Sequence, residues 1–418
     1  MNKKLQFFTL LLVNIFSISS LQAAIDMQAH LATDEAQEAY TSYLSQQSSY
    51  YTGNYTYTTL LAQTGDQLFG SLNTLMGNTC KLEAWGLDYG DLRYAYTDVD
   101  RDLNKSGNII GYYDGYSFAG KWDSGNTWNR EHTWPQSKGA NKDIPMGHDM
   151  QSVRPTRKAA NSDRGNTAYG EGGSYYDPDE ISINNSAYKK INLGTYRGDA
   201  ARVIMYDYIV YGQAGSYKNS LYNGNAQLLN KLGSSGVFES LRIMLKWHMQ
   251  DPPSLTEMVR NDGAQAYQGN RNPFIDFPEF AIQIFLNNSN IKTHKVKVNT
   301  SATLWPNYQY TLSDGFIAYL TEADGSRPES VDVTGATYSY DATMGRLTIT
   351  NVTSDMVIST NGTTAIDDIY YSNKIVIYNI TGTIIAEISS ENLSSTLQTL
   401  PSGLYIIQQG NQARKIMR

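Results

Sequence analysis

Along the chain, hydrophobic and polar positions change rhythm three times. Met1, Asn2, Lys3 and Lys4 precede an apolar run over 5–18, and Ser19, Ser20, Ala23 and Ala24 follow it. A positive start, a short apolar core and small residues at its end read as a secretory signal peptide over 1–24. No later run approaches the roughly 18 apolar residues that a membrane helix needs. Over 25–288 helical spacing dominates. It is clearest in "GDAARVIMYDYIVYG" and in "GVFESLRIMLKWHMQ", where Phe238, Leu241, Met244, Leu245 and His248 recur at three and four. After "QDPPS", Ser254 and Glu257 form a capping-box pattern that opens another helix toward Tyr267. Over 289–362 the period shortens to two in "HKVKVNTSATL", "ATYSYDATM" and "GRLTITNV", which predicts a small β module. A last block, 363–418, holds "NKIVIYNITGTIIAEI" and "LPSGLYIIQQGNQARKIMR", strands joined at Gly382 and at Gly410-Asn411, and predicts a β-sandwich tail. The expected fold class is therefore α+β, with no internal repeat.

Composition changes this picture in two places. With one cysteine, Cys80, no intramolecular disulfide can form, and with no histidine or basic cluster beside it the thiol reads as packing. The formal net charge is -7, which taken alone argues against a polyanionic partner. Over 121–164, however, eight basic residues meet five acidic ones, leaving +3. That stretch holds "NREHTWPQSKG", with Glu131 and His132 adjacent in a chain of five histidines.

A phosphodiester suits such a patch. Its phosphorus is shielded by negative oxygens, so hydrolysis needs a base to deprotonate water and a cation to neutralise developing charge. An imidazole titrating near neutrality suits the first task. A carboxylate and an amide oxygen suit a hard cation that keeps several waters. A hairpin carrying Glu131 and His132, with a following helix carrying Asn161, would gather all three groups around one metal. Neighbours on a strand point to opposite faces, so the Glu-His pair needs a bend or bulge to share a site. Arg154, Arg157 and Arg164 are the candidates for gripping the phosphate. Trp128 and Trp134 read as packing around the hairpin rather than as base-stacking rings. His148 reads as a loop-orienting residue, His248 as a core histidine, and Arg271 as part of a hydrogen-bonded loop. His30 and His294 carry no assigned role.

In order and spacing, "WNREHTWPQS", "HDMQSVRPTRKAANSDRGN" and "WHMQDPPSLTEMVRNDGAQAYQGNRNPFIDFPE" together resemble the bacterial endonuclease I family of secreted or periplasmic nucleases, over about 60–285. The resemblance implies a ββα-metal finger embedded in a mostly helical nuclease domain, and cleavage of DNA and often RNA without sequence preference. In its terms His132 matches the general base, Glu131 and Asn161 match the ligands of Mg²⁺ (or of Ca²⁺ or Mn²⁺), and Arg164 is a motif arginine of the catalytic set. Two departures stand out: Gln151 with Ser152, and Phe277, occupy positions where many members carry histidine. The pattern "IVIYNITGTII", then "LPSGLYIIQ" and a basic finish, resembles the C-terminal sorting domain of type IX secretion. The implied partners are DNA, RNA and the type IX secretion machinery, for a monomer that is secreted or attached to the cell surface after passing the periplasm. Two rival readings are a metal-free phosphodiesterase using His132, and a noncatalytic adhesive surface protein with a degenerate nuclease domain.

Overall fold

The computed structural model describes residues 34–113, 115–171, 183–184, 187–188, 196–228, 236–322, 325–360, 374–379, 384–389, 392–401, 403–409 and 412–417. The expected signal peptide and the turns at Gly382 and Gly410-Asn411 lie outside these residues. The chain divides into two units, 1–361 and 362–418.

In the first unit the helix Arg197–Tyr211 is buried along nearly its whole circumference, as a helix at the centre of a large core must be. Around it lie Gly65–Thr79, Leu241–Gln250 and Leu255–Gln268. The capping box forms as its spacing predicts. Glu257 N donates to Ser254 Oγ at 3.3 Å, while Ser254 N donates to the Glu257 carboxylate at 3.0 Å. Polar groups on the central helix find charged partners, Arg202 donating to both carboxylate oxygens of Glu257 at 2.6 and 2.7 Å. Arg271 is likewise structural, paired with Asp262 and Asp276 at 2.7 and 2.8 Å.

His248 is a core histidine, as its spacing suggests. It is fully buried, with Nε2 donating to the Pro278 carbonyl at 2.7 Å. Burial, aided by the Arg202 charge, pushes its pKa down to about 3. Because the folded state holds it neutral, its contribution to stability is complete above the unfolded pKa of about 6.5. That contribution is lost as pH falls toward 3, where only the unfolded chain takes up the proton. Comparing the wild-type chain with a nontitrating His248→Asn chain isolates this effect from the buried carboxylates. Their stability difference should shrink by about 2 kcal/mol between pH 7 and pH 5, read from urea midpoints. A difference constant across that range would show that His248 stays accessible to protons.

The 294–360 segment forms two four-stranded sheets. One has Thr337–Asp341, Arg346–Thr350, Ile317–Thr321 and Thr303–Trp305 side by side; the other has Val331–Thr334, Met356–Thr360, His294–Asn299 and Tyr310–Thr311. Ala318, Leu320, Ile349 and Ile358 from these sheets belong to the same buried apolar cluster as Phe238, Leu245 and Phe280. Helices and sheets thus share one core.

The second unit carries one antiparallel sheet, in the order Ile384–Ser389, Lys374–Asn379, Leu404–Gln409, Gln412–Met417. A sandwich needs a second sheet, and among the described residues there is none. Instead Leu393, Leu397 and Leu400, from the Leu393–Thr399 helix and just beyond it, pack over the buried face of Ile375, Ile377, Tyr405 and Ile407.

Candidate active site

The positive stretch folds into two strands and a helix. Trp128–His132 pairs antiparallel with Val153–Arg157, Glu131 opposite Arg154 and His132 opposite Val153. The helix Lys158–Arg164 starts directly after the second strand and ends at Gly165, whose φ of 55° suits glycine. Trp128 and Trp134 are fully buried. Trp128 packs against Trp122 and Phe118, and Trp134 donates from Nε1 to the Lys138 carbonyl at 3.0 Å. Both therefore brace the hairpin, as expected.

Glu131, His132 and Asn161 line one open cavity of about 440 Å³, together with Tyr89, Asn129, Arg130, Gln136, Ser137 and Asn166. Of the bend or bulge expected, it is the bend that occurs, the register running unbroken to His132. The strand ends there, the chain bends through Thr133 and Trp134, and the cavity takes in both faces of the strand end.

Hydrogen bonds determine which atoms of the three groups remain open. His132 Nε2 lies 2.9 Å from the Gly147 carbonyl. A carbonyl only accepts, so Nε2 carries the proton and Nδ1 keeps its lone pair. Gly147 cannot be replaced cheaply, since a Cβ there would sit 1.9 Å from the Asn141 carbonyl oxygen. Tyr89 stacks on the imidazole, with ring centroids 5.2 Å apart. Burial pushes the His132 pKa down to about 4, opposed by the Gly147 bond, so the ring is neutral at physiological pH. Glu131 Oε1 accepts from Tyr113 at 2.5 Å and from Arg164 at 2.9 Å, while Oε2 has no hydrogen bond among the described residues. Burial raises the Glu131 pKa to about 6 against the pull of Arg164 and Tyr113. Asn161 Nδ2 donates to the Arg130 carbonyl at 3.3 Å, which leaves its Oδ1 as an acceptor.

A hard cation fits this donor set. No group of three or more His, Cys, Asp or Glu side chains converges among the described residues. An ion held by one carboxylate and one amide oxygen would keep most of its waters, the habit of Mg²⁺ rather than of zinc.

The three candidate arginines separate sharply. Arg164 is fully buried, Nη1 donating to Glu131 Oε1 and to the His132 carbonyl at 2.9 Å each, and Nη2 to the Thr133 carbonyl at 2.8 Å. Its guanidinium lies over the Tyr169 ring, 4.4 Å from the centroid. Such a group cannot reach a phosphate; its hydrogen bonds tie the Glu131 carboxylate to the backbone of His132 and Thr133 instead. Arg154 is also buried, 3.5 Å from Asp100 and over the Tyr112 ring, so the expected phosphate contact fails there too. Arg157 is partly exposed beside the Tyr116 ring.

Both departures from the motif lie off the cavity. Gln151 donates from Nε2 to Asn261 at 2.7 Å, Ser152 donates to Asp207 at 2.9 Å, and Phe277 packs against Tyr51 and Phe280. His148 bonds the Lys142 carbonyl at 3.1 Å, orienting the loop that presents Gly147. Burial pushes the Cys80 thiol up to about 12, the direction of a packed thiol rather than of an activated one.

The sequence model of the Endonuclease I family matches residues 64–279. The chain is also 31% identical over 239 residues to an extracellular ribonuclease of Bacillus subtilis, and 31% identical over 238 residues to one of Bacillus amyloliquefaciens. Each match covers 53% of this chain and 75% of the relative.

Proposed function

Since the chain belongs to the endonuclease I family, we propose that it is an exported, metal-dependent endonuclease that hydrolyses phosphodiesters of RNA and DNA without sequence preference. Members of the family are generally dependent on a divalent metal, and the relatives named as extracellular ribonucleases favour secretion and RNA among the substrates. No helix among the described residues is long and apolar enough to cross a membrane. The observation that carries the reading is that His132, Glu131 and Asn161 line one cavity, each keeping an acceptor atom, Nδ1, Oε2 and Oδ1, that no hydrogen bond among the described residues takes up.

His132 Nδ1 takes the proton of an attacking water as its oxygen bonds to phosphorus, the bond to the 3′ oxygen breaks, and the leaving oxygen takes up a proton from solvent to become the 3′ hydroxyl. The Gly147 carbonyl stabilises the imidazolium so formed. Glu131 and Asn161 would hold the divalent ion, which when bound supplies charge neutralisation at the scissile phosphate. Arg164 keeps the Glu131 carboxylate and the His132 backbone in fixed relation. The tail over 363–418 serves export through the type IX machinery and takes no part in the chemistry.

The test is digestion of plasmid DNA and of RNA by the purified chain. Cleavage of both is expected in Mg²⁺, and arrest of both on adding EDTA. Cleavage that survives EDTA would replace this reading with the metal-free phosphodiesterase. No cleavage with any divalent ion would favour the noncatalytic surface protein.

A further inference from the structure

Beside the catalytic cavity, guanidinium groups and aromatic rings alternate outward to solvent. Tyr89 contacts His132 on one side and Arg130 on the other, the Arg130 guanidinium lying 3.7 Å from its ring centroid. Strand alternation makes this possible, since Arg130 and His132 fall on the same face. Arg130 also lies 5.2 Å from the Trp122 ring. Arg93 then stands 5.9 Å from Trp122 and 5.3 Å from Tyr94. Trp122 is anchored edge-on against the buried Trp128 at 4.8 Å. Tyr94 is 65% exposed, on the outer face of a helix whose Leu92, Ala95, Tyr96 and Val99 point inward.

Neither Arg93 nor Arg130 is paired with a carboxylate among the described residues; Arg93 Nε donates to the Gly90 carbonyl and Arg130 Nη1 to the Tyr89 carbonyl. Nearby carboxylates are engaged elsewhere. Asp88 and Asp91 accept from each other's backbone N–H, and Asp98 accepts from Tyr267. An exposed ring beside cations that lack anions gains little for folding. A nucleotide supplies both missing partners, a base for the ring and a phosphate for the guanidinium.

We infer that Tyr94 and Trp122, with Arg93 and Arg130, form a nucleobase-stacking subsite for unpaired nucleotides flanking the scissile phosphate. The inference rests on the nuclease reading above and deepens it. Arg130 lines the catalytic cavity and touches Trp122, so a strand entering the cavity continues directly onto the rings. In a duplex each base face is covered by its neighbours, so the subsite favours single-stranded RNA or DNA.

The test is fluorescence anisotropy of the full chain in EDTA with two labelled ten-nucleotide strands, one of oligothymidine and one carrying abasic sites on the same sugar-phosphate backbone. The wild-type chain should bind the base-bearing strand roughly tenfold more tightly, within the about 5- to 150-fold that stacking of one base contributes. Tyr94→Ala should close that gap to within about twofold, and Tyr94→Phe, which keeps the ring, should preserve it. Tyr94 is exposed and holds no part of the core, so the alanine variant should keep the fold, which circular dichroism checks. Equal wild-type affinity for the two strands, or a Tyr94→Ala chain that still separates them tenfold, would overturn the subsite. Plasmid digestion is a separate readout, so the subsite can fail while the nuclease reading stands, and the reverse.

Discussion

His132→Ala should lower the rate of plasmid nicking in Mg²⁺ by about 10³-fold, within the roughly 10²–10⁴ that a positioned general base contributes, while leaving the fold intact. The fold should survive because the imidazole makes one hydrogen bond and one ring contact at the rim of an open cavity. Water entering the vacated space can hydrate the Gly147 carbonyl, so the thermal midpoint should move by only a few degrees. Rate loss alone does not distinguish a base from a prop, and chemical rescue does. The space left by the ring sits in a cavity of about 440 Å³, large enough for free imidazole. Added imidazole should restore part of the His132→Ala activity, more so as pH rises through the pKa of free imidazole and its neutral form accumulates. A variant that keeps activity within tenfold of wild type, or that no concentration of imidazole assists, would remove His132 from the role of base.

The core of this site was legible along the chain because its parts are close in sequence. Glu131 and His132 are neighbours, and Asn161 follows on a helix that starts directly after the pairing strand. Short-range patterning specifies such a unit almost unaided. The arginines were not legible in the same way. Sequence counts charges, but only packing shows that Arg154 and Arg164 are sealed beneath tyrosines while Arg130 faces the cavity. Tyr89 and Tyr113 escaped notice for a related reason. They come from segments upstream of the finger, and tertiary packing alone brings them onto His132 and Glu131. The β segments show the same limit. A period of two announces a strand without saying which sheet receives it, and the parallel pairing of Met356–Thr360 with His294–Asn299 joins residues distant in sequence. In the tail, alternation marked the strands, but the amphipathic Leu393–Thr399 helix that covers them carried too short a pattern to be read in advance.

Arg164→Met should be the most destabilising single change in the finger, by roughly 3–5 kcal/mol, the usual result of removing one member of a buried ion pair. Methionine has similar reach and no charge. It would leave the Glu131 carboxylate buried without its cation, and the His132 and Thr133 carbonyls without the donors that now serve them. Urea unfolding measures the loss, and plasmid nicking should fall with it because the Glu-His pair is no longer held. Adding Glu131→Gln to Arg164→Met removes the uncompensated charge, so the double variant should regain a substantial part of the stability. It should regain none of the activity, since the carboxylate proposed to hold the ion is gone. Recovery of stability in the double variant would show that the uncompensated Glu131 charge, rather than lost packing, causes the instability of Arg164→Met. An Arg164→Met chain with a wild-type urea midpoint and no activity would instead place Arg164 on the substrate, against its complete burial.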